Sequence, residues 1–277
     1  MKKLLLFLSA LLACAITFYL FSNKHSNNID GKITYCEYNN NTRGTYIWDT
    51  KTHEQSFIPN CMYIRLLEFD KALIGRYNTI EKFDTKTQET ISVYNIGEVM
   101  DYFTMVSDSI ISFSDGEVIY TFDLEDHGKN IVVEDNGAKY HGWLEGRLIY
   151  ANIHDEIIEY NLYDKTKNKL FDGREPIVSA DNNFIAYKDI DGNLHVFNIK
   201  TNEQYSYTGS AYYYCFSPKS DMLLIEDEMK FFKSLKNILF NERIIGHRVL
   251  AWDYKNNTTS EMIEECTAGA GEGFSWK

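Results

Sequence analysis

Hydrophobic and polar positions alternate along most of the chain after residue 31, in short runs separated by polar turns. The stretch TYIWDTKTHEQSFI at 45–58 shows the pattern: an alternating run ends in an aromatic residue and Asp, a polar turn follows, and a second run begins. Alternation over five or six residues predicts a half-buried β-strand. The unit is therefore predicted to be a β-hairpin.

The same unit recurs six times. Its aromatic–Asp/Asn pairs are Trp48-Asp49, Phe83-Asp84, Phe122-Asp123, Tyr160-Asn161, Phe197-Asn198 and Trp252-Asp253. Successive pairs are 35, 39, 38, 37 and 55 residues apart, which indicates a repeat architecture. Asp and Asn side chains accept hydrogen bonds from backbone amides just ahead of them. Because the residue recurs in every unit, we interpret it as part of the turn and not as a catalytic carboxylate.

Two further alternating runs lie between successive hairpins, such as YIRLLEF and KALIGRYN in the second unit. Four antiparallel strands in a period of roughly 40 residues are typical of a β-propeller blade. The first unit, which starts at 32–38, has only three such runs, whereas GFSWK at 273–277 is one spare strand after the last unit. The pattern predicts an all-β, six-bladed β-propeller over 32–277, closed by the C-terminal strand.

Two segments also carry a recognisable blade motif. VSADNNFIAYKDIDGNLHVFNIKTNEQYSYT at 178–208 and FSPKSDMLLIED at 216–227 resemble the Ser-x-Asp-x-x-x-Ile-Ala-Tyr motif of TolB-type and prolyl-oligopeptidase-type propellers, within the wider WD-like group of six-bladed repeats. The resemblance implies a turn that joins the two innermost strands of a blade. It supports the fold and not an activity, because many unrelated functions share this motif.

The N-terminus reads as an export or anchoring segment. Lys2 and Lys3 precede 18 residues without a charge at 4–21, and a polar linker follows at 22–31. Such a segment is excluded from the fold, and its flanking positive charges favour a cytoplasmic N-terminus. We therefore expect 1–21 to be a signal anchor or a lipoprotein signal, with the propeller on the periplasmic or extracytoplasmic side.

The fate of that segment stays open. LLAC at 11–14 resembles the lipobox of bacterial lipoproteins, which would make Cys14 the lipidated residue. An uncleaved signal anchor and a cleaved, released form are the alternatives, since about 18 apolar residues are just long enough to span a bilayer.

Four cysteines remain after Cys14, namely Cys36, Cys61, Cys215 and Cys266. An oxidising compartment allows them to form two disulfides, in any of three pairings. The alternative is that two of them are buried free thiols and the other two form one bridge.

One interval is about 18 residues longer than its neighbours, and the extra sequence lies at 227–246. Its apolar residues fall at helical spacing and predict a short amphipathic helix over about 228–243 in blade 6. The helix either caps the propeller or docks a protein partner or the membrane surface, with basic residues supporting contact. The candidate partner-binding residues are Phe231, Phe232, Leu235, Ile238 and Leu239.

Net charge and the spacing of candidate ligand and catalytic residues exclude several classes of function. A net charge of −12 argues against a nucleic-acid partner, because the protein's field would repel polyphosphate. No metal-ligand spacing and no G-x-S-x-G motif occurs, so no metal, cofactor or catalytic residue is predicted. Three tyrosines in SAYYYCF at 210–216 either line an axial channel or fill the space between blades. We expect a membrane-tethered, non-catalytic binding or assembly module of the bacterial cell envelope; the alternative is an envelope enzyme with its active site in the channel.

Overall fold

The computed structural model describes residues 31–39, 42–61, 63–68, 70–98, 100, 102–228, 247–266 and 275–277. These residues belong to one compact unit, Gly31–Lys277. No helix within the described ranges is long and apolar enough to cross a membrane. The predicted N-terminal segment with Cys14 and the predicted helix of blade 6 lie outside the described residues.

The described residues form six four-stranded antiparallel sheets, each ordered from the inner to the outer strand. Blade 1 comprises β24 (Ser275–Trp276), β1 (Lys32–Asn39), β2 (Thr42–Asp49) and β3 (Gln55–Pro59). Blade 2 comprises β4 (Tyr63–Leu66), β5 (Lys71–Arg76), β6 (Thr79–Asp84) and β7 (Glu89–Asn95). Blade 3 comprises β8 (Tyr102–Met105), β9 (Ile110–Ser114), β10 (Val118–Asp123) and β11 (Lys129–Glu134).

The second half of the chain repeats this order. Blade 4 comprises β12 (His141–Leu144), β13 (Arg147–Ala151), β14 (Glu156–Asn161) and β15 (Lys167–Asp172). Blade 5 comprises β16 (Arg174–Val178), β17 (Phe184–Lys188), β18 (Leu194–Asn198) and β19 (Gln204–Ser206). Blade 6 comprises β20 (Ala211–Phe216), β21 (Leu223–Glu228), β22 (His247–Asp253) and β23 (Thr258–Cys266). The prediction of an all-β, six-bladed propeller is confirmed.

The C-terminal strand closes the ring, as the missing first strand predicted. Ile33 of β1 pairs with Trp276 of β24, and the backbone amides of Lys32 and Lys277 each donate to the carbonyl of the other. Ser275 reaches the neighbouring blade, where its Oγ accepts a hydrogen bond of 3.2 Å from the Leu66 amide. The last strand therefore completes blade 1 and also joins it to blade 2.

The repeated Asp and Asn residues all serve the turn between the two outer strands of a blade. Asp49 Oδ1 accepts the amides of Lys51 and Thr52 at 2.9 and 3.0 Å. Equivalent bonds occur at Asp84, Asp123, Asn161, Asn198 and Asp253. The hydrogen bond from the Thr52 amide lowers the pKa of the Asp49 carboxyl, although burial opposes it. The interpretation of these residues as turn formers is confirmed.

The Ser-x-Asp motif forms the inner turn of blade 5. Ser179 Oγ donates to Asp181 Oδ1 at 2.7 Å and accepts the Phe184 amide at 2.9 Å. The Asp181 amide in turn donates to Ser220 Oγ of blade 6 at 3.3 Å. The motif therefore sets the turn and also links neighbouring blades.

The core lies between blades and not within a single sheet. Between blades 5 and 6, for example, Ala186 and Val196 pack with Leu223, Ile225 and Trp252, and all five are almost fully buried. Burial of a large apolar side chain contributes about 1.5–3 kcal/mol. Because each face is covered by the next blade, the innermost strands are held at fixed positions around the axis.

Candidate functional site

The six innermost strands, β24, β4, β8, β12, β16 and β20, surround the axis of the propeller. They enclose a cavity of about 700 Å³, and every one of them contributes to its wall. Ligand sites in proteins have volumes of about 300–1,000 Å³. The axial channel is therefore large enough for a small organic molecule.

Aromatic side chains dominate the apolar part of this wall. They come from blades 1, 3, 4 and 6 and the segments just before them, and are Tyr102, Tyr140, Trp143, Tyr213, Tyr214, Phe216 and Trp276. The rings of Tyr102 and Tyr140 lie 5.1 Å apart between centroids. Flat aromatic faces with hydroxyl or N–H groups at their edges suit ligands that combine apolar and polar surface.

Arg65 of β4 brings a positive charge into the channel wall. Its Nη2 donates to Tyr102 Oη at 3.0 Å, and its guanidinium carbon lies 5.3 Å from the centre of the Tyr102 ring and 5.8 Å from that of Phe103. Stacking on two rings and a hydrogen bond hold the guanidinium in one orientation. Arg65 is therefore a fixed cation beside aromatic surface.

Two titratable groups in the wall respond both to burial and to this cation. Burial lowers the pKa of His141 to about 4, and the charge of Arg65 acts in the same direction. Burial raises the pKa of the Cys215 thiol to about 12, and the same charge opposes that rise. His141 belongs to blade 4 and Cys215 to blade 6, so the field of Arg65 extends across the channel.

The remaining charges of the wall are largely balanced. Glu175 forms an ion pair of 2.5 Å with Lys188, which is buried and also donates to the Tyr212 carbonyl at 2.8 Å. Glu145 and Lys277 are the other acidic and basic residues of the lining. The channel lining thus has two basic and two acidic residues, Arg65, Lys277, Glu145 and Glu175, on a protein with a net charge of −12.

Two indole N–H groups in the wall are buried without an acceptor in the part of the chain that the structure describes. They belong to Trp143 of β12 and Trp276 of β24. A buried donor without a partner costs about 1–3 kcal/mol. A ligand oxygen can satisfy either group only if the indole ring turns towards the cavity, because both nitrogens are now covered.

The predicted site residues are distributed unevenly around the channel. Cys215 lines it as a free thiol, whereas Cys61 is buried and its Sγ lies 3.6 Å from the Tyr63 carbonyl oxygen. The side chains of Cys36 and Cys266 lie outside the described part, so a disulfide there stays a prediction. Phe231, Phe232, Leu235, Ile238 and Leu239 also lie outside it. No group of side chains that could hold a metal ion occurs among the described residues.

Two of the three tyrosines at 212–214 have the roles considered for them. Tyr213 and Tyr214 line the channel, and Tyr214 also belongs to the core between blades 5 and 6, where its hydroxyl donates to the Glu175 carbonyl at 2.5 Å. Tyr212 is 41% exposed. Sequence reasoning missed Arg65, although a charged residue in the apolar run YIRLLEF was a visible signal.

The comparisons with known proteins agree on the fold alone. No family model matches the chain, and no curated protein matches its sequence. Hsv2 of Kluyveromyces marxianus is 13% identical with a TM-score of 0.50, and 79% of this chain covers 76% of that one. Hsv2 of Kluyveromyces lactis with a complete loop 6CD is 12% identical with a TM-score of 0.50, over 80% of this chain and 91% of that one. The tricorn protease is 12% identical with a TM-score of 0.47, and the match covers 79% of this chain but only 33% of that one.

Proposed function

We propose that the chain is a binding module whose axial channel takes a small organic anion with an apolar or aromatic body. The observation that carries the proposal is the placement of Arg65 on the rings of Tyr102 and Phe103 in the wall of a cavity of about 700 Å³. The guanidinium binds the anionic group, and the surrounding rings pack against the body of the ligand.

The protonation states in the channel support binding over proton transfer. A general base works best with a pKa near neutrality, and the cysteine nucleophile is the thiolate. With a pKa of about 4, His141 is neutral and a weak base, and with a pKa of about 12, Cys215 stays a thiol. Ser112, which is bonded to His141, is fully buried. These properties favour the binding module over an enzyme with its site in the channel.

The channel is tested with anilinonaphthalene sulfonate, a fluorescent aromatic anion, and the purified full-length chain. We expect saturable binding that Arg65→Gln weakens at least about tenfold, because a hydrogen bond to a charged group contributes about 1.5–3 kcal/mol. Arg147→Gln is the matched control, since Arg147 pairs with Glu159 at 2.6 Å outside the channel lining. Equal affinities for the two variants, with unchanged circular dichroism, would exclude the channel as the anion site.

The proposed module is tethered to the membrane and faces the extracytoplasmic side of a bacterial envelope. The support is the charge-free segment at 4–21 after Lys2 and Lys3. Cell fractionation of the full chain and of a form without 1–21 tests the tether. If Cys14 is lipidated, metabolic labelling with a fatty acid disappears in Cys14→Ser. A full-length chain that is wholly soluble after lysis contradicts the tether.

A protein partner is the further part of this proposal. The support is the predicted apolar helix face in the insertion of blade 6. Replacement of Phe232 and Leu235 by Ser should abolish capture of the partner from envelope extracts while the melting temperature stays constant. A sharp fall in melting temperature would instead identify the insertion as a structural cap.

A further inference from the structure

A hydrogen-bonded chain of Asp, His and Ser lies on the outer half of blade 5, apart from the channel. Asp189 follows β17, His195 lies on β18, and Ser206 ends β19, the outermost strand of the blade. The hairpin register places His195 directly opposite Ser206. One sheet thus brings together three residues that take no part in the channel wall.

The two nitrogens of His195 have different partners. Nε2 lies 2.9 Å from Asp189 Oδ2, and Nδ1 lies 2.9 Å from Ser206 Oγ. A carboxylate only accepts hydrogen bonds, so Nε2 carries the proton and Nδ1 is the acceptor for the serine hydroxyl. This is the protonation needed for a histidine that removes a proton from serine. In serine hydrolases the two nitrogens have the opposite assignments, but the roles are the same.

Asp189 is held in position by the turn that follows it. Its Oδ1 accepts the Asn193 amide at 2.8 Å, and its Oδ2 accepts Asn193 Nδ2 at 2.9 Å. Burial opposes ionisation, but the hydrogen bonds from His195 and Asn193 outweigh it and lower the pKa of Asp189 to about 2. The carboxylate therefore stays charged, orients the imidazole and stabilises its protonated form.

Gln204 supplies a donor next to the serine. Its Nε2 lies 3.1 Å from His195 Nδ1, and its Oε1 accepts the Tyr187 hydroxyl at 3.1 Å. Because His195 Nδ1 carries no proton, the amide nitrogen of Gln204 and not its oxygen faces this ring. Gln204 thus donates to the same nitrogen that accepts from Ser206, and it helps to hold the imidazole in place.

The cluster is accessible to a substrate. Ser206 is exposed at the edge of the propeller, while the side chains of Asp189 and His195 are 25% and 12% exposed. No other strand pairs with the outer edge of β19 among the described residues. An open edge of this kind admits small or activated esters and offers few contacts for tight binding.

We propose that Asp189, His195 and Ser206 form a surface centre that cleaves esters by acyl transfer. Ser206 Oγ bonds to the carbonyl carbon while its proton passes to His195 Nδ1. The ester C–O bond then breaks, and the alcohol leaves with that proton. Water, deprotonated by His195, attacks the acyl group, and the carboxylic acid leaves as Ser206 regains its proton. This activity is independent of the proposed channel ligand.

The centre is tested with a fluorophosphonate probe and the purified full-length chain. Ser206 Oγ forms the bond to phosphorus, fluoride leaves, and His195 takes the proton. The tryptic peptide 201–219 contains Ser210 and Ser217 as well as Ser206. Fragmentation of this peptide in the mass spectrometer therefore locates the adduct. We expect Ser206→Ala to remove the adduct and His195→Gln to slow its formation at least about 100-fold, the lower range for general-base catalysis.

Ser92 is the matched control within the same chain. It lies on β7, the outermost strand of blade 2, and its Oγ donates to Tyr94 Oη at 3.0 Å instead of to a histidine. Ser92 should remain unlabelled, and Ser92→Ala should leave labelling of Ser206 unchanged. Circular dichroism and the melting temperature establish that all variants fold. Labelling of Ser206 at the rate of Ser92, or a rate unaffected by His195→Gln, overturns the proposal.

Discussion

Two serine–histidine pairs in this propeller have nearly the same hydrogen-bond length and different surroundings. Ser112 and His141 meet at 2.7 Å between blades 3 and 4, and both side chains are fully buried. Ser206 and His195 meet at 2.9 Å on the exposed half of blade 5. The residue pair alone therefore does not define what a serine–histidine contact does.

The third residue and the exposure separate the two pairs. His141 Nδ1 lies 3.3 Å from the Lys139 carbonyl, which provides no charge to stabilise a protonated ring. His195 has the Asp189 carboxylate at 2.9 Å and part of its side chain in solvent. Burial without a counter-charge makes the first pair a link between blades. In the second pair, the carboxylate accepts the hydrogen bond from Nε2 and leaves Nδ1 as the acceptor for the Ser206 hydroxyl.

The largest difference should appear in stability when each histidine is replaced by Ala. His141→Ala removes a fully buried ring that packs on Tyr102 at 5.3 Å and leaves Ser112 Oγ without its partner. We expect a loss of about 4 kcal/mol of unfolding free energy. His195→Ala should cost less, about 1–2 kcal/mol, because its ring is only 12% exposed but the hydrogen-bond partners it leaves behind are nearer to water. Urea denaturation measures both, and equal losses would remove the distinction.

The pH dependence of stability should also separate the pairs. The pKa of His141 is about 4 in the folded chain and about 6.5 when unfolded. The unfolded state therefore binds the proton more tightly, and stability is lost as pH falls from about 6.5 through 4, by about 3 kcal/mol. Unfolding free energies measured between pH 7 and 4 should show this slope in the wild type and a flatter one in His141→Gln.

Asp189 adds a second pH range, below that of His141, in which the unfolding free energy should change. Its pKa is lowered from 3.8 to about 2, so its contribution is present above pH 3.8 and is lost as pH falls through 2. Solvent screening at this partly exposed carboxylate reduces the contribution to about 1 kcal/mol. Asp189→Asn should reduce the pH dependence of the unfolding free energy only between about pH 4 and 2. A change above pH 5 in this variant contradicts the assignment.

The sequence was sufficient to predict the repeat but not the buried pair of Ser112 and His141. The turn residues such as Asp49 and Asn198 act within their own hairpin, so periodicity alone revealed them. His141 and Ser112 belong to different blades, and nothing in one blade indicates which residue of the next it meets. His195 and Ser206 share one hairpin, whose turn at Asn198 fixes their register, so this contact was within reach of sequence reasoning.

The channel illustrates the same limit. Arg65 was visible as a charge in an apolar run, but its field on His141 and Cys215 depends on three blades meeting at the axis. Closure by the C-terminal strand, in contrast, followed from counting strands. Properties set by order along the chain were predictable, whereas those set by the angular position of blades required the structure.

Replacing the serine of each pair by Ala should also lower stability more for the buried pair than for the exposed pair, but by less than replacing the histidines. Ser112→Ala leaves the buried Nε2 of His141 without a hydrogen bond, which should cost about 2 kcal/mol. In Ser206→Ala, His195 Nδ1 keeps the Gln204 amide at 3.1 Å and gains access to water, so the loss should stay below about 0.5 kcal/mol. Denaturation midpoints at constant m-value measure both. A larger loss for Ser206→Ala would mean that this bond is chiefly structural.

The smallest effect is the position of one proton on each imidazole. The Lys139 carbonyl only accepts, so His141 carries its proton on Nδ1 and accepts from Ser112 at Nε2. His195 carries its proton on Nε2, towards Asp189, and accepts at Nδ1. Nitrogen-15 chemical shifts of the two rings at pH 8 should therefore show opposite tautomers, with His141→Gln and His195→Gln assigning the signals. If His195 were protonated on Nδ1, it could not accept the Ser206 proton, and the exposed pair would lose its chemical role.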